Sequence, residues 1–289
     1  MPLRLVAGWF PGGTVYAIIR GTMVISALTV VTTLLYLAAT AALGARLLLH
    51  EERSPARSTA LALAAAAVGT HVVVVGDTTW VDDGLNLSIF SALSLVSWIT
   101  STGLVIVSLR QRVEHLGILL WPLSAMAVAL TLFAPPEATL DREMAVQIHI
   151  VISMTAYATL LAAVLQALIL GALDYRLRHR RATGFVRQLP ALRTMEKQLF
   201  WLITVGFVAL TVALGSGFLF FMDRLLEGMM IHKTSLSMAS WLAFATLLIG
   251  HAVWGWRGQT AIRWTVIGFL ALMLGYFGSK FVLELILQQ

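Results

Sequence analysis

No cysteine occurs among the 289 residues, which excludes disulfides, thiolate metal sites, thiol redox chemistry and covalent thioether attachment of a prosthetic group within this chain. Charge is nearly as scarce. Charged residues make up 12% and hydrophobic ones 59%, where soluble domains carry roughly a quarter charged and half apolar residues. A soluble core cannot hide that much apolar surface. Phosphate-binding loops, nucleophile motifs and paired carboxylates within an apolar run are also missing, so nothing supports hydrolysis or phosphoryl transfer. The chain is expected not to be an enzyme. The formal net charge of +6 would favour a nucleic-acid partner only if the basic residues formed one face. They sit instead in short segments between apolar runs, so the expected partner is the lipid bilayer and not nucleic acid.

What the sequence does have is eight apolar runs of about 20 residues, enough to cross a bilayer as helices. They fall near 24–48, 59–77, 87–109, 116–133, 148–173, 198–221, 235–256 and 260–287. The expected fold is all-α, a polytopic membrane bundle forming one domain over 23–289. Residues 1–22, with Pro11-Gly12-Gly13 and no run long enough to span, read as an N-terminal appendage: an upstream extension of a start at Met23, or a short interfacial segment. The loops alternate in charge. One set holds Arg46, Arg53 and Arg57; Arg110 and Arg112; the arginines of 176–193 with Lys197; and Arg257 and Arg263. The other holds Asp77, Asp82, Asp83, Glu137, Asp141, Glu143, Asp223 and Glu227 against Arg142, Arg224 and Lys233. The positive-inside rule makes the first set cytoplasmic and both termini external, in a bacterial inner membrane. Segment 174–198 reads as a stop-transfer and headgroup anchor. Segment 222–234, apolar at Leu225, Leu226, Met229 and Met230, reads as an interfacial helix lying flat.

Seven histidines sort by depth. His50, His115 and His179 lie among the arginines and are expected to be solvated. His71 stands about 18 Å into the second span at 1.5 Å per residue. His149 is at the outer mouth of the fifth span, His232 precedes the seventh, and His251 lies near that span's cytoplasmic end. Ionisable rings in hydrocarbon are costly and usually face a bundle interior, a cofactor or a pathway. A single such histidine is as readily an interhelical hydrogen bond as a ligand. Four at complementary depths favour ligation, with His149 meeting His232 outside and His71 meeting His251 within the bundle. Neutral imidazole is a good axial ligand for haem iron. A tetrahedral metal site is disfavoured, since no carboxylate accompanies His71 or His251 in the hydrocarbon. Tyr276, Lys280 and Glu284, four apart on the last span, read as one face carrying a structural ion pair.

Leu189-Pro190, Gly206-Phe207, Leu210-Thr211, Ser216-Gly217, Lys233, Trp241, His251, Gly255-Trp256-Arg257-Gly258 and Tyr276-Phe277-Gly278 stand in an order and spacing that resembles the cytochrome c assembly family of membrane haem-handling proteins, across about residues 60–287. The resemblance implies that His71 and His251 are the two transmembrane haem histidines, axial ligands to the iron of a non-covalent b-type haem. It also implies that His149 is the first of two outward-facing haem histidines. The second normally follows the last matching span, and His232 is the residue available to replace it. The tryptophan-rich outer motif departs from the family, with Phe220 in place of a tryptophan and His232 in place of an aspartate. The function implied is haem binding or transit in cytochrome c maturation or haem homeostasis, with haem-delivery or maturation proteins as partners. The competing expectation is an accessory subunit of an ion transporter that kept the fold without haem handling. A weaker one is an electron carrier holding haem permanently.

Overall fold

The computed structural model describes residues 12–48, 57–81, 84–133, 143–179, 189–221, 228–278 and 281. Its elements are α1 (Gly12–Leu48), α2 (Arg57–Thr79), α3 (Ile89–Ser108), α4 (Gly117–Leu130), α5 (Met144–Arg178), α6 (Leu192–Phe221), α7 (Gly228–Trp254) and α8 (Gln259–Met273), the last continuing into a π turn over Leu274–Gly278. Eight of the described helices are long and apolar enough to cross a membrane once the single turn at Glu114–Leu116 is counted with α4. Between α2 and α3 the chain makes a minimal antiparallel bridge, pairing Trp80 with Leu85 and Val81 with Gly84. Helices dominate because hydrocarbon offers no partner to an unpaired peptide group, so each span satisfies its own backbone.

The helices pack as two groups of four. In the first, α1 lies against α2 and α4, and α3 against α2 and α4; in the second, α5 packs on α6 and α8, and α7 on α6 and α8. Contact between α3 and α5 joins the groups. Small residues set the first group's spacing. Ala60, Ala64 and Ala67 form a buried stripe on α2 facing Tyr36, Ala39 and Leu43 of α1, and residues without bulk let membrane helices approach closely enough for dispersion to hold them. At the arginine-rich end, Arg57 clamps the α3–α4 connection: Nε is 2.9 Å from Glu114 Oε1 and Nη2 donates to the carbonyls of Ser108 and Gln111.

Two helices extend past the expected spans. The backbone of α1 runs unbroken from Gly12, so the latter half of the expected appendage continues the first span's helix; residues 1–11 lie outside the described residues. Likewise Gly228–Trp254 is one helix, so the part of the expected flat helix from Gly228 onward is continuous with the seventh span. A helix once started extends at little cost because each added residue gains a backbone bond. Lys280 and Glu284 lie outside the described residues.

Candidate functional site: three imidazoles in the membrane helices

His71 continues the alanine stripe of α2 and is fully buried at the centre of the first group. Its Nδ1 is 3.1 Å from the Tyr36 hydroxyl on α1 and its Nε2 is 2.9 Å from Ser94 Oγ on α3. The Tyr36 and His71 rings meet edge to face at 5.6 Å. Both partners are hydroxyls, which can donate or accept, so both ring nitrogens of His71 are engaged in either tautomer. A separate pair lies further along α3, where Ser101 meets Ser124 at 2.9 Å and Ser124 Oγ donates to the Leu120 carbonyl at 3.0 Å.

His149 lies in the second turn of α5, at the acidic end. Its Nδ1 is 2.8 Å from Ser216 Oγ on α6, which itself donates to the Ala213 carbonyl at 2.9 Å. The serine therefore accepts from Nδ1–H. Nε2 faces Ser153 Oγ at 3.4 Å.

His251 closes the last turn of α7 at the arginine-rich end, where Nδ1–H donates to the Trp256 carbonyl at 2.8 Å and the ring stacks on Phe200 of α6 at 3.6 Å and 17°. The chain reverses through Gly255-Trp256-Arg257-Gly258, with φ of +68° at Gly255 and +54° at Gly258, a left-handed conformation that side chains with a Cβ resist. That reversal folds the Trp256 indole over Gly250, where a Cβ would lie 2.3 Å from the ring. Glu196 of α6 accepts from the Gly258 N–H at 3.0 Å, and Asp174 of α5 accepts from the Gln259 amide at 2.9 Å while pairing with Arg178. The signature turn is thus bolted to two neighbouring helices, and its carbonyl sets the tautomer of His251.

His251 and His149 donate through Nδ1–H, to a carbonyl and to a hydroxyl respectively, and so carry the lone pair on Nε2, while His71 bonds a hydroxyl at each nitrogen. A histidine that ligates a metal nearly always donates its other ring N–H to a carbonyl or similar acceptor, which orients the ring and raises its basicity. The donor set fits haem iron.

The structure does not gather the four expected site residues in one place. His71 lies in the first helix group and His251 in the second, with no shared partner. Measured along their own helices, His71 is about 21 Å and His251 about 4.5 Å from the arginine-rich end, at 1.5 Å per residue. His149 and Ser153 do meet, whereas His232 falls in the second turn of α7 and its side chain lies outside the described residues. Tyr157, two turns further along α5, donates to the Leu272 carbonyl at 3.1 Å. His179 is exposed and bonds its own helix. His115, expected to be solvated, is 4% exposed. Its Nε2–H donates to Gln166 Oε1 at 3.1 Å, and Gln166 Nε2 donates onward to the Met195 carbonyl at 3.0 Å and to Gln198. It is protonated on the opposite nitrogen from His251 and locks α4 to α5 and α6. The signal for it was Gln166 in the middle of an apolar run, a polar side chain that needs a partner there.

A membrane bundle of eight spans with hydrogen-bonded histidines at three depths defines the class. The chain belongs to the cytochrome c assembly family: the family model described as "Cytochrome C assembly protein" matches residues 58–287. It is 35% identical over 231 residues to the inner membrane protein YpjD of Escherichia coli K12, covering 79% of this chain and 86% of that protein. An Azospirillum brasilense protein described as an uncharacterized 28.8 kDa protein in the nifR3-like 5′ region is 32% identical over 145 residues, 49% of this chain and 53% of its own length. No solved structure matches the chain.

Proposed function

We propose that this chain is a bacterial inner-membrane protein that binds haem non-covalently and hands it on, with His71 and His251 as its principal iron ligands and His149 as an outward one. The observation that supports it is the tautomer of His251, whose Nδ1–H is spent on the Trp256 carbonyl so that Nε2 carries the lone pair an iron would take. Haem is cargo here, and the chain performs no covalent chemistry on it. By the positive-inside rule the arginine-rich end is cytoplasmic and both termini are external, so His251, His71 and His149 stand at successive depths from cytoplasm to exterior. One iron held by His71 and His251 together requires α2 and α7 to approach from their separate groups. Haem passing from one imidazole to the next requires no such movement. Haem-delivery or cytochrome maturation proteins are the partners this reading implies.

A second reading has its own observation. The hydrogen bonding of His71 is complete without a ligand, as expected of an accessory subunit of an ion-export system that kept the fold for structural reasons. Absorbance of the full-length protein purified from haem-replete cells separates the two. Haem handling predicts a Soret band that His251→Ala and His71→Ala each diminish or shift to a five-coordinate form, restored by added imidazole. No Soret band in wild type, or wild-type spectra in both single variants, overturns it.

A further inference from the structure

Away from the histidines, a cavity of about 570 Å³ opens between α3, α5 and α6, within the usual range of small-molecule sites of about 300–1,000 Å³. Its lining runs from Ile99 to Gln111, from Thr155 to Gln166 and from Thr194 to Val205. Each stretch spans about 16–18 Å at 1.5 Å per residue, close to half a hydrocarbon core of about 30 Å. The cleft therefore crosses one leaflet, the one at the arginine-rich end. Its polarity is graded along that length. Gln111, Thr194, Lys197 and Gln198 stand at the arginine-rich mouth, while Ile99, Leu104 and Val205 line the deeper part. The threonines of the interior offer a ligand little, because Thr100, Thr155 and Thr159 donate to carbonyls of their own helices. Gln166 is spent on His115, Met195 and Gln198.

We propose that this cavity is a site for an anionic phospholipid of the cytoplasmic leaflet, with one acyl chain in the cleft and the headgroup at Lys197. Three features select that occupant. Among the described residues no carboxylate lines the cavity and the one charged lining residue is the Lys197 ammonium, so the mouth attracts an anion. The interior is apolar and one leaflet deep, as an acyl chain requires. The described lining contains no His, Met, Cys or Tyr, the side chains that hold haem iron, so the site does not depend on the haem reading and is not another form of it.

Native mass spectrometry of the full-length protein, released from nanodiscs of equimolar phosphatidylglycerol and phosphatidylcholine with matched chains, tests this directly. Wild type is expected to retain phosphatidylglycerol preferentially. Lys197→Glu should lower that preference by about fivefold or more, as expected for loss of a basic residue near a membrane surface. A Cβ at Gly103, on the cavity wall, meets nothing within 4 Å, so Gly103→Phe should fill the cleft and lower retention of both lipids. Ala162→Leu is the milder alternative should Gly103→Phe fail to insert. Equal retention of the two lipids by wild type, or unchanged retention in both the charge-reversed and the cavity-filled variants, overturns the proposal. So does an isoprenoid quinone or haem as the species displaced by Gly103→Phe.

Discussion

Ser94→Ala separates a ligand role for His71 from a purely structural one, because only the ligand role predicts tighter haem binding. Ser94 Oγ stands 2.9 Å from His71 Nε2, the nitrogen that an iron would need. Any ligand at Nε2 must first displace that hydroxyl, at the cost of one neutral hydrogen bond, about 1 kcal/mol net. Removing the serine removes this competition, so haem should bind about fivefold more tightly. The ligand-free protein should meanwhile lose roughly 0.6–1.7 kcal/mol, the measured range for interhelical bonds in membranes. The assay is titration of haem-free protein in nanodiscs, followed at the Soret band. A cycle with His71→Ala completes it: if the gain acts through Nε2, Ser94→Ala must have no effect once the imidazole is gone. Unchanged or weaker binding in folded Ser94→Ala protein would refute the assignment of His71 as an iron ligand.

Tyr36→Phe should cost about 1–3 kcal/mol, since it leaves Nδ1 of the fully buried His71 without its hydroxyl partner; unfolding in mixed micelles checks it, and a change below about 0.3 kcal/mol would contradict that contact. Gly258→Ala should lower stability by roughly 1–2 kcal/mol because of its left-handed backbone, whereas Gly103→Ala, open to the cavity, should leave the melting temperature nearly unchanged; equal shifts would contradict the turn geometry. Reporter fusions at Ala182 and Ala138 should report cytoplasm and exterior respectively, and the reverse result would invert the orientation.

Much of the architecture was legible because membrane insertion is decided helix by helix. The eight runs and the arginine alternation depend only on the composition of each segment, and the span from Arg57 to Thr79 differs from the expected 59–77 by a turn or less. Neighbour relations are another matter. Tyr36 meets His71 across 35 positions and Gln166 meets His115 across 51, and no hydropathy scan distinguishes those partners from any other apolar helix. The same limit explains the pairing of His71 with His251: depth along a span can be counted from sequence, but membership of the first or second helix group cannot. Resemblance identified the signature turn, yet its physical role, a carbonyl that fixes one tautomer of His251, follows only from where Gly255 and Gly258 send the chain.

The polar groups around His71 have a further consequence. A row of hydrogen-bonded groups across a membrane is the usual material of a proton wire, and leakage along such a row would dissipate the gradient that energises the cell. Here the row comes in two short pieces: Ser94, His71 and Tyr36 form one, and Ser101 and Ser124 form another that ends on the Leu120 carbonyl, an acceptor with no proton of its own. Neither piece is long enough to cross the bilayer, so these bonds tie α1, α2, α3 and α4 together without laying a path for charge.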